Sequence, residues 1–181
     1  GKTAVELDSR RATVRTMESN FGDLITDAMR AGVGADVALT NGGGIRGDRT
    51  YDPGTTLTRR DILSELPFGN VTVLMEISGA DLLAALENGV SEVENRAGRF
   101  PQISGMTLIY DPSAPKGSRI TKLKIGGKPL DMSRTYRLAT NDYMASGGDG
   151  YAVLKSGKLL VDASGATLMA TTVMHYISGQ G

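Results

Sequence analysis

Three short segments carry the residue types from which a small anionic ligand could be held. The first, NGGGIR at residues 41–46, sets three glycines ahead of an arginine. Backbone there can approach a ligand closely, while Arg46 offers a planar fork of donors that suits a phosphate. The same string also reads as a tight turn followed by a surface arginine, and it is not a P-loop, because it lacks the Gly-Lys-Ser/Thr ending. The second, LPFGN at residues 66–70, holds Phe68 between a proline and a glycine, outside any regular element. An aromatic in that setting is either a plug for the core or a platform on which a base stacks. The third, SGGDGY at residues 146–151, repeats the glycine-rich logic around Asp149, which can accept hydrogen bonds from a sugar or from neighbouring backbone.

Hydrolytic machinery finds no comparable support. His175 is the only imidazole and sits in an expected C-terminal helix beside Val173 and Ile177, where it reads as a helix-face residue. A two-metal phosphoester site needs several His, Asp and Asn ligands, and one histidine does not supply that set. No Asp-x-His or Gly-Asn-His string occurs, and the eight methionines lie mostly in apolar stretches suited to core packing.

The elements that must carry the three segments alternate helix and strand. Phe21, Leu24, Ile25, Ala28 and Met29 recur at helical spacing behind Ser19 and Asn20, and the pattern stops at Gly32. Residues 35–40 read as a short buried strand running into the glycine loop. Thr58 with Asp61, ahead of Ile62, Leu63 and Leu66, reads as a capping box before a short helix. Residues 71–77 are rich in β-branched side chains, and Ser78 with Asp81 opens a helix whose stripe is Leu82, Leu83, Leu86 and Val90. From Met106 onward the signals are mostly β: residues 106–110, 120–125, a Gly126-Gly127 hairpin turn, 128–130 and 136–140. Residues 168–177 close the chain as a helix ended by Gly179. The expected fold is α+β, a single domain over residues 1–181 with a mixed sheet and packed helices. Its β half begins near Met106, with helices of the first half laid against it and parallel pairing where strand and helix alternate.

Composition narrows the partners. Lys plus Arg (20) balances Asp plus Glu (20) in 181 residues, so no global field attracts nucleic acid or an anionic membrane, and any anion site must be local. Cysteine is absent, which excludes a disulfide framework and thiolate metal sites. No apolar run approaches the roughly 20 residues of a membrane helix, and the N-terminal residues lack a signal-peptide pattern.

Taken in order, NGGGIR, LPFGN and NDYMASGGDGY (residues 141–151) resemble the C-terminal domain of the 5'-nucleotidase family, which includes ecto-5'-nucleotidases and bacterial periplasmic UDP-sugar hydrolases. VRTMESNFGDLITDAM (residues 14–29) and FPQISGM (residues 100–106) extend the resemblance over nearly the whole chain. The resemblance implies the substrate-binding half of a two-domain enzyme. An N-terminal metallophosphoesterase domain, outside this chain, would hold two divalent metal ions and hydrolyse the phosphate ester. This chain would supply the nucleotide or nucleoside pocket, hold no cofactor and be inactive alone, in a periplasmic or extracellular setting.

Residue by residue, the resemblance implies a base sandwiched between Phe68 and Tyr143, the latter standing where Phe is commoner. Arg46 and Arg15 would address the phosphate or the terminal part of the substrate, and Arg11 matches a further arginine of the periplasmic enzymes. Asn41 would meet base or ribose, Asn70 the base edge, and Asp149 the ribose hydroxyls; Asn41 and Asp149 also suit plain turn formation. Nucleic acid and membrane are not implied as partners. Beside this reading stands an autonomous nucleotide-binding module without a hydrolytic partner, and mononucleotide, cyclic nucleotide and nucleotide sugar all fit the resemblance.

Overall fold

In a computed structural model, which describes residues 1–180, the chain opens with a two-residue strand β1 (Leu7–Asp8) and a one-turn helix α1 (Arg11–Val14). Helix α2 (Asn20–Val33) follows, headed by Ser19, whose hydroxyl accepts from Gly22 N, and closed by Gly34 in the left-handed region. The sequence pattern stops this helix at Gly32. It runs on because Gly32 faces the C-terminal helix, where a Cβ would crowd Thr172 Cγ2, so this glycine serves packing. Strand β2 (Val37–Asn41) is buried along its whole length, and β3 (Thr50–Tyr51) pairs with β1. Helix α3 (Arg59–Glu65) carries the expected capping box between Thr58 and Asp61.

Strand β4 (Val71–Ser78) leads through a Ser78 cap into α4 (Gly79–Val90). Next come β5 (Pro101–Ser104), β6 (Met106–Tyr110), β7 (Ile120–Ile125), β8 (Lys128–Pro129) and β9 (Thr135–Asn141). The short helix α5 (Asp142–Ala145), strands β10 (Lys158–Val161) and β11 (Thr167–Leu168), and helix α6 (Met169–Gly179) complete the chain. Leu168, expected in the last helix, instead pairs with Val71 in the sheet, and Gly179 lies inside α6 rather than after it.

The fold is α+β, with a mixed sheet and packed helices. The main sheet runs β10-β4-β9-β2-β5, with β11 also on β4, so both halves of the sequence supply it. Among the described residues only β6, β7 and β8 form a sheet confined to the second half, and the expected division near Met106 does not hold. Pairing is antiparallel except for β2 against β9, which is parallel with Val37 opposite Leu138. Alternation along the strands splits the core in two. Ala38 and Ala139 face α2 and α6, whose Phe21, Ile25, Met29, Met169 and Val173 fill that side. Val37, Leu39, Leu138, Val73 and Met75 face α4 and the small sheet.

This strand order fixes where the loops emerge. Parallel β2 and β9 end at the same edge, with Asn41 and Asn141 as their last residues. Antiparallel β4 begins at that edge, with Thr72 opposite Asn141, and so does β5, with Pro101 opposite Asn41. All three glycine-rich or aromatic segments therefore leave the sheet on one side, beyond the carboxyl ends of its parallel pair, where open α/β sheets present ligand crevices.

Candidate functional site

At that edge lies a cavity of about 480 Å³ lined by Arg15, Asn41, Gly43, Gly44, Arg46, Phe68, Asn70, Gly98, Tyr143 and Asp149. Seven of the eight residues singled out from the sequence meet there, and Arg11 does not line it. The glycine triplet forms a 3-10 turn in which Gly42 N donates to Phe100 O and Gly43 N to Gly98 O. A Cβ at Gly42 would overlap the carbonyl of Val14. Glycine there lets the segment ahead of Arg15 lie directly on the turn that precedes Arg46.

Phe68 is 60% exposed and Tyr143 47% exposed, so neither is a core plug. The guanidinium of Arg46 lies over the Phe68 ring, 5.5 Å from its centroid, within cation–π range. Tyr143 is tied to Asp149 in both directions: its hydroxyl donates to Asp149 Oδ1 (2.9 Å) and accepts from Asp149 N (3.2 Å). This pairing with a carboxylate, followed by partial burial, holds the phenol above its ordinary pKa. Gly148 passes under the ring, where any Cβ would strike it.

Asp149 sits at φ 53, a conformation that non-glycine residues rarely adopt. Its other carboxylate oxygen accepts from Asn41 Nδ2 (2.7 Å), and its carbonyl accepts from Asn88 Nδ2 (3.1 Å). The Asn41 amide is braced in turn by Asn141 Nδ2, which donates to Asn41 Oδ1 (3.1 Å). Asn41 is thus buried with both ends of its amide engaged, leaving one N–H and one lone pair for a ligand. Asn70 donates through Nδ2 to Asp142 Oδ1 (2.9 Å), which leaves its carbonyl oxygen open to the cavity.

Arg15 and Arg46 gather positive charge at one end of the cavity. Arg15 Nε is buried without a hydrogen-bond partner. Burial first, then the charges of Arg11 and Arg46, hold the Arg15 guanidinium below its ordinary pKa, with Asp149 opposing. Arg11 therefore reaches the cavity through its field and not by contact. An orphaned donor on a partly desolvated cation is costly unless an anion completes it.

Three residues that position this site carried no assigned role in the sequence. Asn141 caps α5 by accepting from Met144 N and braces Asn41, Asp142 holds Asn70, and Asn88 holds the Asp149 backbone. No helix is expected at this point of the sequence; Asn141-Asp142 ahead of a short apolar run is the cap signal that marks the start of α5, though not its use as a brace. Among the described residues no group of three or more His, Cys, Asp or Glu is arranged to hold a metal ion. Nor is any helix among them long and apolar enough to cross a membrane.

The same domain recurs in known proteins. The family model described as 5'-nucleotidase, C-terminal domain, matches residues 1–156. The trifunctional nucleotide phosphoesterase protein YfkN of Bacillus subtilis (strain 168) is 41% identical over 162 residues, covering 84% of this chain and 11% of its own length. The 5'-nucleotidase of Homo sapiens is 31% identical over 196 residues, covering 98% of this chain and 34% of its own. A solved structure of a 5'-nucleotidase precursor from Thermus thermophilus superposes with a TM-score of 0.90 at 42% identity, covering 99% of this chain and 36% of that one. The chain thus spans between 11% and 36% of the length of these three relatives.

Proposed function

This chain belongs to the 5'-nucleotidase C-terminal domain family, and from that premise we propose that it is the nucleotide-recognition part of a phosphoesterase of that type. The base lies between Phe68 and Tyr143, and Arg15 and Arg46 hold the phosphate end. Asp149 accepts from ribose hydroxyls, Asn70 offers its carbonyl to the base edge, and Asn41 orients Asp149. Arg11 adds charge behind Arg15. Hydrolysis belongs to a metallophosphoesterase domain N-terminal to this chain, which holds two divalent metal ions, in a periplasmic or extracellular setting.

The observation that carries this reading is the meeting of two exposed aromatics and two arginines, drawn from four separate segments, around one cavity large enough for a nucleotide. Aromatic rings left in water suit stacking, and an orphaned buried guanidinium donor suits an anion. The test is calorimetric titration of the chain with AMP. Saturable one-to-one binding is expected, and Phe68→Ala and Tyr143→Ala should each weaken it by roughly 1 to 3 kcal/mol, about tenfold or more. The melting temperature should stay near that of the unsubstituted chain, because both rings are exposed. No measurable AMP binding, or a Phe68→Ala chain that binds normally, would overturn the reading.

A further inference from the structure

Glu65 ends α3 and is 0% exposed, yet its carboxylate has no cationic partner among the ion pairs of the described residues. Its partners are neutral donors from three segments. Oε1 accepts from Ser9 Oγ (2.7 Å) and from the Tyr51 hydroxyl (2.7 Å), and Oε2 accepts from Gly47 N (2.9 Å). The Glu65 backbone carbonyl accepts from Arg46 N (2.9 Å). Gly47 admits no side chain, because a Cβ would overlap this carboxylate. Burying a carboxylate without a cation is costly, and a well-packed apolar side chain commonly serves stability as well or better.

The placement of the three donors gives the carboxylate a use. Ser9 lies between β1 and α1, on the segment that continues to Arg15, while Gly47 follows Arg46 directly. Glu65 itself precedes the loop bearing Phe68. We propose that Glu65 is a positioning residue for the nucleotide site: its buried carboxylate pins the Arg46 loop to the N-terminal segment, holding the two guanidinium groups as a pair on one phosphate. The proposal rests on the nucleotide reading above.

The experiment is a double-mutant cycle on the chain, read as affinity for AMP and for adenosine, with folding checked by thermal melting. Arg46→Ala alone should weaken AMP binding roughly tenfold or more while barely affecting adenosine, which has no phosphate. In a Glu65→Met background, the same Arg46→Ala change should cost only about twofold, because Arg46 is already misplaced. Additive losses would assign Glu65 to stability alone and overturn the proposal. Should Glu65→Met fail to fold, Tyr51→Phe replaces it in the cycle. It removes one donor to the carboxylate and leaves the ring stacked on Phe21, and the same non-additivity, of smaller size, is expected. An unsubstituted chain that binds neither AMP nor adenosine would overturn the nucleotide reading and this proposal together, whereas normal binding with additive losses would overturn this proposal alone.

Discussion

Tyr143 differs from a phenylalanine by one oxygen, and that oxygen is bonded twice to Asp149. A phenylalanine at this position would leave the stacking face intact but would release one side of a carboxylate held in a left-handed backbone. The expected outcome for Tyr143→Phe is therefore selective: free adenine, which needs only the ring, binds as before, while adenosine weakens by roughly 0.5 to 1.5 kcal/mol, the net value of an ordinary hydrogen bond. Equal effects on the two ligands in calorimetry would show that the hydroxyl does not act through Asp149. Individual residues of this site were legible in the sequence where composition was unusual, as with Arg46 behind three glycines or Phe68 between proline and glycine. Glu65 was not legible, because a glutamate near the end of a polar helix reads as solvated. Only the approach of Ser9, Gly47 and Tyr51, up to 56 residues away, makes it a buried clasp.

Elements with local signals formed where those signals lie. Ser19, Thr58 and Ser78 each accept a backbone N–H at a helix start, as their spacing to the apolar stripes implied. Among the elements that went unread are strands whose stabilisation is non-local. Strand β5 starts at Pro101, tolerable at the first residue of a strand on the sheet edge, and β10 exposes Leu159 and Leu160 without alternation. Helix α2 also carries a titratable strain. Burial, followed by the negative charges of Glu18 and Asp27, pushes Asp23 up to about 7 from an ordinary value of 3.8. The folded chain then binds this proton more tightly than the unfolded one, so its contribution is present below the unfolded pKa and lost as pH rises through about 7. Asp8 runs the other way: its hydrogen bond from Arg10 lowers it to about 2, and that contribution is lost as pH falls toward that value. The melting temperature should therefore contain a decline between about pH 4 and pH 7 that Asp23→Asn abolishes. A decline unchanged by that substitution would place the responsible proton on another group.

For the whole molecule, recognition and hydrolysis are expected to be separable. The isolated chain should release no phosphate from AMP in the presence of manganese beyond a buffer control, since a two-metal site needs ligands this chain does not assemble among its described residues. Phosphate release proportional to added chain would overturn that division. The global pairing that builds the site was beyond local sequence signals, because β2 and β9 lie about a hundred residues apart and only their parallel contact brings Asn41 beside Asn141. That late strand has a consequence for biosynthesis. Until Thr135–Asn141 leaves the ribosome, β4 on one side and the β2–β5 pair on the other have no strand to join them. Each turns an unpaired edge toward the gap, flanked by apolar side chains such as Val73, Met75, Val37 and Leu39. Such edges invite pairing with other chains, so the nascent polypeptide is most prone to self-association before Thr135–Asn141 has emerged. Insertion of β9 closes both of these edges in one event, and the segment that follows it brings Tyr143 and Asp149 to the ligand cavity.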